Sequence, residues 1–309
     1  MKRRDFLTKS IGAGILTGTG LALGNIDNIF ASGKLMNLEE DYDLTAVMGG
    51  EPDIMFSKAI AAMGGMQKYV KKGQKVLVKP NIGWDSSPEK AADTNPVLIK
   101  CIIEHCMNAG AKEVVVFDNT CDNWQRCYSN SGIEKAVKDA GGKIAPGNNE
   151  SNYHPVKVPK GKKLKDAKEH ELVLESDVFI NVPVLKIHGG AQLSISMKNL
   201  MGIVWDRGYW HKNDLQQCIA DYITYRKPTL NVVDAYRAMN KNGPRGGSLH
   251  DVVLLKSLII SEDIVAADAA AAKLIGFEPK SVDHIRIASE MGLGRLDLEK
   301  LKINKIKVA

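Results

Sequence analysis

Beyond its first thirty residues the chain lacks any stretch approaching the roughly 18 apolar residues that cross a bilayer as a helix, so nothing after the leader reads as membrane-spanning. It also lacks the short signatures of several enzyme classes. There is no G-x-S-x-G nucleophile elbow, no Walker phosphate loop and no G-x-G-x-x-G after a strand, which disfavours covalent serine catalysis and ordinary dinucleotide binding. C-x-x-C pairs, ferredoxin spacing and H-x-x-x-H or H-E-x-x-H pairs are absent as well. The positive charge excess is small. It is +6 overall and falls to +4 once residues 1–31, with four basic and two acidic side chains, are set aside. That is too mild to argue for nucleic acid, although a locally positive pocket remains open to argument from positions.

The most distinctive positive feature is the N-terminus. Lys2-Arg3-Arg4-Asp5-Phe6-Leu7-Thr8-Lys9 precedes a weakly apolar stretch over residues 11–23, broken by Gly12, Gly14, Gly18 and Gly20, and Ile29-Phe30-Ala31 supplies a cleavage site before Ser32. This resembles a bacterial twin-arginine export signal. Lys2 stands where Ser or Thr is usual, and Lys9 sits one place late. The expectation is a signal peptide over residues 1–31, the twin-arginine translocase as partner during export, and a periplasmic or otherwise extracytoplasmic protein with no stable membrane anchor after cleavage. An uncleaved anchor is the rival reading.

Five cysteines leave at least one unpaired if bridges form only within the chain. Cys101 and Cys106 lie five apart on an expected helix, about 140° apart around its axis, so they do not easily bond to each other. Buried packing is the plain reading. Cys121 and Cys127 share the polar segment 119–127, where a disulfide or a pair of metal ligands, with Cys218 as a further candidate, is the sharper alternative.

The remainder reads as strands alternating with helices, which predicts an α/β fold with a largely parallel sheet covered by helices on both faces. Expected strands cover residues 74–79, 113–118, 177–186 and 228–234, with Pro183 marking a bulge, an edge or a strand end. Expected helices cover 96–108, opened by Asn95 and Pro96 and closed by Gly110, then 132–140, 192–204, 214–226, 264–275 and 282–291. Residues 32–72 form a lead-in and residues 73–309 the domain. An insertion over 151–174, rich in lysine, is expected to be a solvated hairpin.

In open α/β sheets ligands bind beyond the carboxyl ends of the strands. Here those ends are polar: Lys79 and Asn81, then Asp118 and Asn119, then Lys186 and His188, then Asp234. Small residues follow at Gly189-Gly190, before Lys198 and Asn199, and Gly243-Pro244-Arg245-Gly246-Gly247 offers one guanidinium on a flexible loop.

At these residues a family resemblance is visible. Val78-Lys79-Pro80-Asn81, Thr94-Asn95-Pro96, Gly110-Ala111-Lys112-Glu113-Val114, Pro183-Val184-Leu185-Lys186-Ile187-His188, Lys198-Asn199-Leu200-Met201-Gly202 and Gly292-Leu293-Gly294 occur in the order seen in the DUF362 family. The resemblance covers residues 74–295 and implies no particular reaction. Some members carry an attached ferredoxin module; the cysteine spacing of such a module is absent here, so that property is not carried over.

Three functional readings follow. In the first, an exported enzyme acts on a small anionic carboxylate or phosphate. Lys79, Lys186, Lys198 and Arg245 neutralise it, Asn81, Asn119 and Asn199 orient it, and His188, His211 or Lys186 moves a proton. Metal-assisted chemistry through His188, His211, Asp118 and Asp234 is a variant of this reading. In the second, Cys121 and Cys127 hold a transition metal or iron-sulfur cluster in a redox protein. In the third, the chain binds an anion or oligosaccharide without reacting it, using the aromatic segment Trp205 to His211. Alanine at Lys79, Lys186 or Lys198 is expected to abolish binding and leave folding intact.

Overall fold

The computed structural model describes residues 41–308, so the expected export signal lies outside the described residues. In chain order the strands are β1 (Leu44–Met48), β2 (Lys75–Pro80), β3 (Glu113–Val116), β4 (Lys143–Ile144), β5 (Tyr153–Lys157), β6 (Asp166–His170), β7 (Val178–Val182), β8 (Val184–His188), β9 (Gln192–Ser194), β10 (Leu230–Met239), β11 (Val252–Ser261) and β12 (Ile303–Lys307). The helices that frame them include α1 (Pro52–Ala62), α2 (Pro96–Asn108), α3 (Ser196–Asn199), α4 (Arg207–Lys212), α5 (Leu215–Ile223), α6 (Ile264–Leu274) and α7 (Asp283–Glu290).

The main sheet has ten strands, with the path β12-β1-β11-β10-β7-β2-β3-β4, β8 attached to β10 and β9 to β8. From β4 to β10 the neighbours are parallel, whereas β11 runs antiparallel to both β10 and β1. Alternate residues of the central strands face opposite sides, as the two-residue period of a strand requires. Val76 and Val78 join the apolar core that contains Met55 and Phe56 of α1 and Ile99 of α2, while Leu77 joins the core beneath α5, α6 and α7. The expected parallel, doubly covered sheet is therefore present, extended by an antiparallel flank. The segment expected as a lead-in is part of that flank through β1, and α1 packs on the sheet.

The topology sets the site. The chain runs from β2 through β3 to β4 on one side, then returns to place β7 on the other side of β2. Such a reversal leaves a crevice at the strand carboxyl ends. At Pro183, which has no N–H to donate, the strand parts from β2: the last β2 pair is Pro80 with Val182, and β8 continues between β10 and β9.

Two expected elements differ. The helix expected over 192–204 begins as strand β9, antiparallel to β8, and turns helical only at Ser196. Asp268 of α6 explains the late start, because its two carboxylate oxygens accept from Ser196 N at 2.7 Å and Met197 N at 3.0 Å. The strand expected over 228–234 runs on to Met239 because β11 pairs with its whole length. β5 and β6 form an antiparallel lysine-bearing hairpin. It is docked on α5 through Asp221, which accepts from the backbone of Lys163 and Leu164, and on the segment after α5 through Arg226, which donates to Glu169.

Candidate functional site

A cleft of about 500 Å³ opens at the carboxyl ends of β2, β3 and β8. Beneath it Lys79, whose place on β2 matches the parity of Leu77, is wholly out of water. Its Nζ lies 2.7 Å from Asp118 Oδ1 and also donates to Pro80 O and, at 3.1 Å, to Asn199 Oδ1. Asp118 Oδ2 accepts from Ile82 N at 2.7 Å. Burial lowers the Lys79 ammonium pKa, and the Asp118 charge opposes that shift. Gly202 lies against this pair: a Cβ there would fall 1.9 Å from Asp118 Oδ1 and 2.7 Å from Lys79 Nζ. The glycine closing Lys198-Asn199-Leu200-Met201-Gly202 is thus fixed by close approach to a buried ion pair.

Asparagines carry the polar network sideways. Asn199 Oδ1 accepts from Asn81 Nδ2 at 3.1 Å, and its Nδ2 donates to Asn181 Oδ1 at 2.9 Å. Asn81 Oδ1 in turn accepts from Lys186 Nζ at 2.8 Å, and Lys186 also donates to Ala92 O. Asp93 is the nearby counter-charge. Burial drives the Lys186 pKa down and the Asp93 pKa up, and their mutual attraction opposes both.

Lys198 differs from these two lysines. Among the described residues its Nζ has no carboxylate partner, and its hydrogen bond runs to the Met201 sulfur at 3.3 Å. Burial, then the Lys186 charge, lowers its pKa to about 8, with Cys121 opposing the shift and Arg207 and Lys79 adding to it. Arg207 enters the same cleft. Its guanidinium donates to Asn119 O at 2.7 Å, Thr120 O at 2.9 Å and Cys121 Sγ at 3.7 Å, and among the described residues no carboxylate pairs with it.

Two histidines face these cations. His188 Nδ1 accepts from Gly190 N and Ala191 N, each at 3.0 Å, which assigns the ring proton to Nε2. Burial, then Lys198, depresses its pKa to about 3. The His211 ring stacks against it with centroids 6.4 Å apart, and burial followed by Lys198 lowers its pKa as well. Arg207 and His211 lie four apart on α4 and so share a face. Trp205 and Tyr209 instead line a separate groove against the hairpin, so the aromatic wall is not part of this cleft.

Of the residues expected at the site, Asn81, Asp118, Asn119, Lys186, His188, Lys198, Asn199, His211 and Cys121 line the cleft, and Lys79 supports it from below. Three do not. Asp234 lies inside β10, accepting from Asn95 N at 2.7 Å and Tyr236 N at 3.0 Å. It anchors the start of α2, and burial raises its pKa to about 6. Arg245 is largely exposed on the rim, 3.4 Å from Asp122 and 5.8 Å from the Trp84 ring centre. Cys127 is buried in the core with α1 and α2, where desolvation pushes its thiol up to about 12, so it does not pair with Cys121 as a ligand set. All five cysteines are free. Among the described residues no group of three or more His, Cys, Asp or Glu side chains is arranged to hold a metal ion.

Sequence reasoning missed Arg207 and Asp93. Arg207 sits in a segment read for its aromatics, and its four-residue spacing from His211 was the available signal. Asp93 lies in the irregular stretch before α2, with no strand end to mark it.

Over 247 residues the chain is 25% identical to the thylakoid-associated protein sll1697 of Synechocystis sp., covering 75% of this chain and 72% of that protein. Among solved structures it is similar to the lactate racemase apoprotein of Thermoanaerobacterium thermosaccharolyticum, with a TM-score of 0.41 and 10% identity over 84% of this chain, which spans 58% of that one. Residues 76–273, which hold nearly all of the cleft, match the model of the domain of unknown function DUF362, and the chain belongs to that family.

Proposed function

We propose that the protein is an enzyme that binds a small carboxylate or phosphate in this cleft and moves a proton on it. The observation that carries the reading is the division among the cations. Lys79 is paired with Asp118, and Lys186 is held by Asn81 and the Ala92 carbonyl with the Asp93 charge opposing its pKa shift, whereas Lys198 and Arg207 meet no carboxylate among the described residues. Unpaired charge in a partly dehydrated cleft is costly, and an anionic ligand relieves it.

The histidines divide the proton chemistry. His188 has its lone-pair nitrogen committed to two backbone donors, so it offers an Nε2–H to oxygen that gains charge during reaction. His211 carries no such constraint and is the better base. Asn81 and Asn199 hold Lys186 and Lys79 in place rather than touching ligand through free amides.

A thermal-shift screen of small carboxylates and phosphates, followed by NMR of the mixtures, tests this reading. Anions should raise the melting temperature, and one class should be converted. His211→Gln should keep the shift and lose the conversion. Ligands that bind and return unchanged would make the cleft a binding module, and no stabilising anion at all would overturn the reading.

We further propose export through the twin-arginine signal at residues 1–31. The thylakoid association of the relative supports a location at or beyond a membrane, and no helix among the described residues is long and apolar enough to cross one. Replacing Arg3 and Arg4 by Lys should retain the protein in the cytoplasm; unchanged fractionation would refute export by this route.

A further inference from the structure

The cleft contains a lysine, Lys198, whose Nζ has no carboxylate partner among the described residues. Lys79 Nζ is held by Asp118, Pro80 O and Asn199, and Lys186 Nζ by Asn81 and Ala92 O with Asp93 nearby. Lys198 has only the Met201 thioether as a hydrogen-bond partner among the described residues. Three of its neighbours, Lys186, Arg207 and Lys79, are cations whose effect outweighs the opposing one of the Cys121 thiol in the same cleft. A lysine that is desolvated beside other cations is the arrangement that turns an ammonium into a nucleophilic amine.

We infer that Lys198 forms a covalent imine with the carbonyl carbon of a small oxo acid, whose carboxylate is held by Arg207 and Lys186. This rests on the anionic-ligand reading above and narrows its substrate class to molecules carrying both a carbonyl and a carboxylate. The lone pair of neutral Lys198 Nζ forms the C–N bond while the carbonyl π pair moves to oxygen. His188 Nε2–H stabilises that oxygen as its charge grows. Proton transfer from nitrogen to oxygen through His211 gives a neutral carbinolamine. His211, protonated from solvent, then protonates the hydroxyl, which leaves as water as the nitrogen lone pair closes the C=N bond to give the iminium, and the N–H proton returned to His211 leaves the imine. One carbonyl compound and one amine give one imine and one water, with no oxidant or reductant consumed. The depression of the Lys198 pKa to about 8 leaves a usable fraction of free amine at neutral pH, which an ordinary lysine does not have.

The geometry also orients the acid. Arg207 and His211 share one face of α4, while Lys186 and His188 share one face of β8. Lys198, on α3, borders the same cleft, and Asp268 fixes the start of that short helix. A two-pronged ligand therefore meets cations for its carboxylate and an amine with two imidazoles for its carbonyl.

The test is borohydride trapping on the mature full-length chain, with glyoxylate, pyruvate and 2-oxoglutarate as probes and peptide mass spectrometry as readout. Sodium borohydride reduces an imine to a stable secondary amine and leaves free lysine unchanged. The expected result is a reduced adduct on Lys198 with at least one probe, lost in Lys198→Met and Lys198→Arg, with circular dichroism showing both variants folded. Adducts scattered over exposed lysines without enrichment at Lys198 would overturn the inference. Stabilisation of the protein by these acids without a Lys198 adduct would overturn the imine and leave the anion cleft standing. Neither stabilisation by any screened anion nor an adduct would overturn both.

Discussion

Lys79 Nζ and Asp118 Oδ1 lie 2.7 Å apart with both side chains almost wholly out of water, so the cleft floor is an internal ion pair and not a ligand contact. Removing one partner strands the other charge in a dehydrated site. Asp118→Asn should lower the unfolding free energy by about 3–5 kcal/mol in denaturant titrations. The double variant Lys79→Met, Asp118→Asn should lose less than the sum of the two single changes, since it leaves no lone charge. Additive losses would contradict the pairing. The expectation that Lys79 could be removed without cost to folding is corrected by this contact.

Gly202 extends the argument to the backbone. Its missing Cβ makes room for the same ion pair, whereas a Cβ on Gly189 would meet nothing within 4 Å. Gly202→Ala should therefore destabilise by about 1–3 kcal/mol or more and weaken anion binding. Gly189→Ala should stay within about 0.5 kcal/mol of the parent chain. Melting curves of the two variants decide it, and equal stability would show that the loop holding Gly202 yields freely.

Folding stability should also carry a proton signature from His284. The residue is fully buried on α7, its Nδ1 lies 2.8 Å from Gln216 Oε1, and burial followed by the Lys198 charge lowers its pKa to about 3. The unfolded value of about 6.5 is higher, so the unfolded chain binds more protons between those two pH values. The stability this residue contributes is full above pH 6.5 and is lost as pH falls toward 3. His284→Asn should flatten the rise of unfolding free energy with pH in that window by up to about 1.4 kcal/mol per pH unit. Identical slopes for the two proteins, measured by denaturant titration, would contradict a neutral buried imidazole.

How far the sequence reveals this site depends on whether the deciding partner is near or far in the chain. Helix α2 is legible to the residue because its signals are local: Asn95 Oδ1 accepts from Val97 N at 2.9 Å, and Pro96 occupies the first turn. The parallel strands are legible as apolar runs, and their polar ends lead to Lys186, His188 and Asp118, which line the cleft. The start of α3 is not, because Asp268, more than seventy residues on, decides where the helix begins. Asp234 misleads for a similar reason. A strand end and a strand interior look alike until β11 is known to pair beyond it. Nor does sequence separate an internally neutralised Lys79 from an unpaired Lys198, since their counter-charges, or the lack of them, come from distant segments.

Arg207 ties α4 to the loop after β3. It donates to the carbonyls of Asn119 and Thr120, which hold that loop at the cleft edge. Arg207→Ala should weaken anion binding about tenfold or more, consistent with loss of a charge-assisted contact of about 1.5–3 kcal/mol. Arg207→Lys should recover part of the charge and little of the loop anchoring, because an ammonium does not reproduce the forked geometry. Isothermal titration alongside amide exchange over residues 119–122 separates the two effects. Unchanged affinity in Arg207→Ala would remove this residue from the site.

The most direct test of the account is calorimetric titration of the mature protein and its Lys198→Met variant with the small anions that stabilise it, at low and high ionic strength. The account predicts saturable binding by the parent chain, weakened by salt. In the folded variant affinity should fall at least about tenfold, the equivalent of about 1.4 kcal/mol. Equal binding by the two proteins, or no binding of any small carboxylate or phosphate to the parent chain, would contradict the claim that this cleft is an anion site built around Lys198.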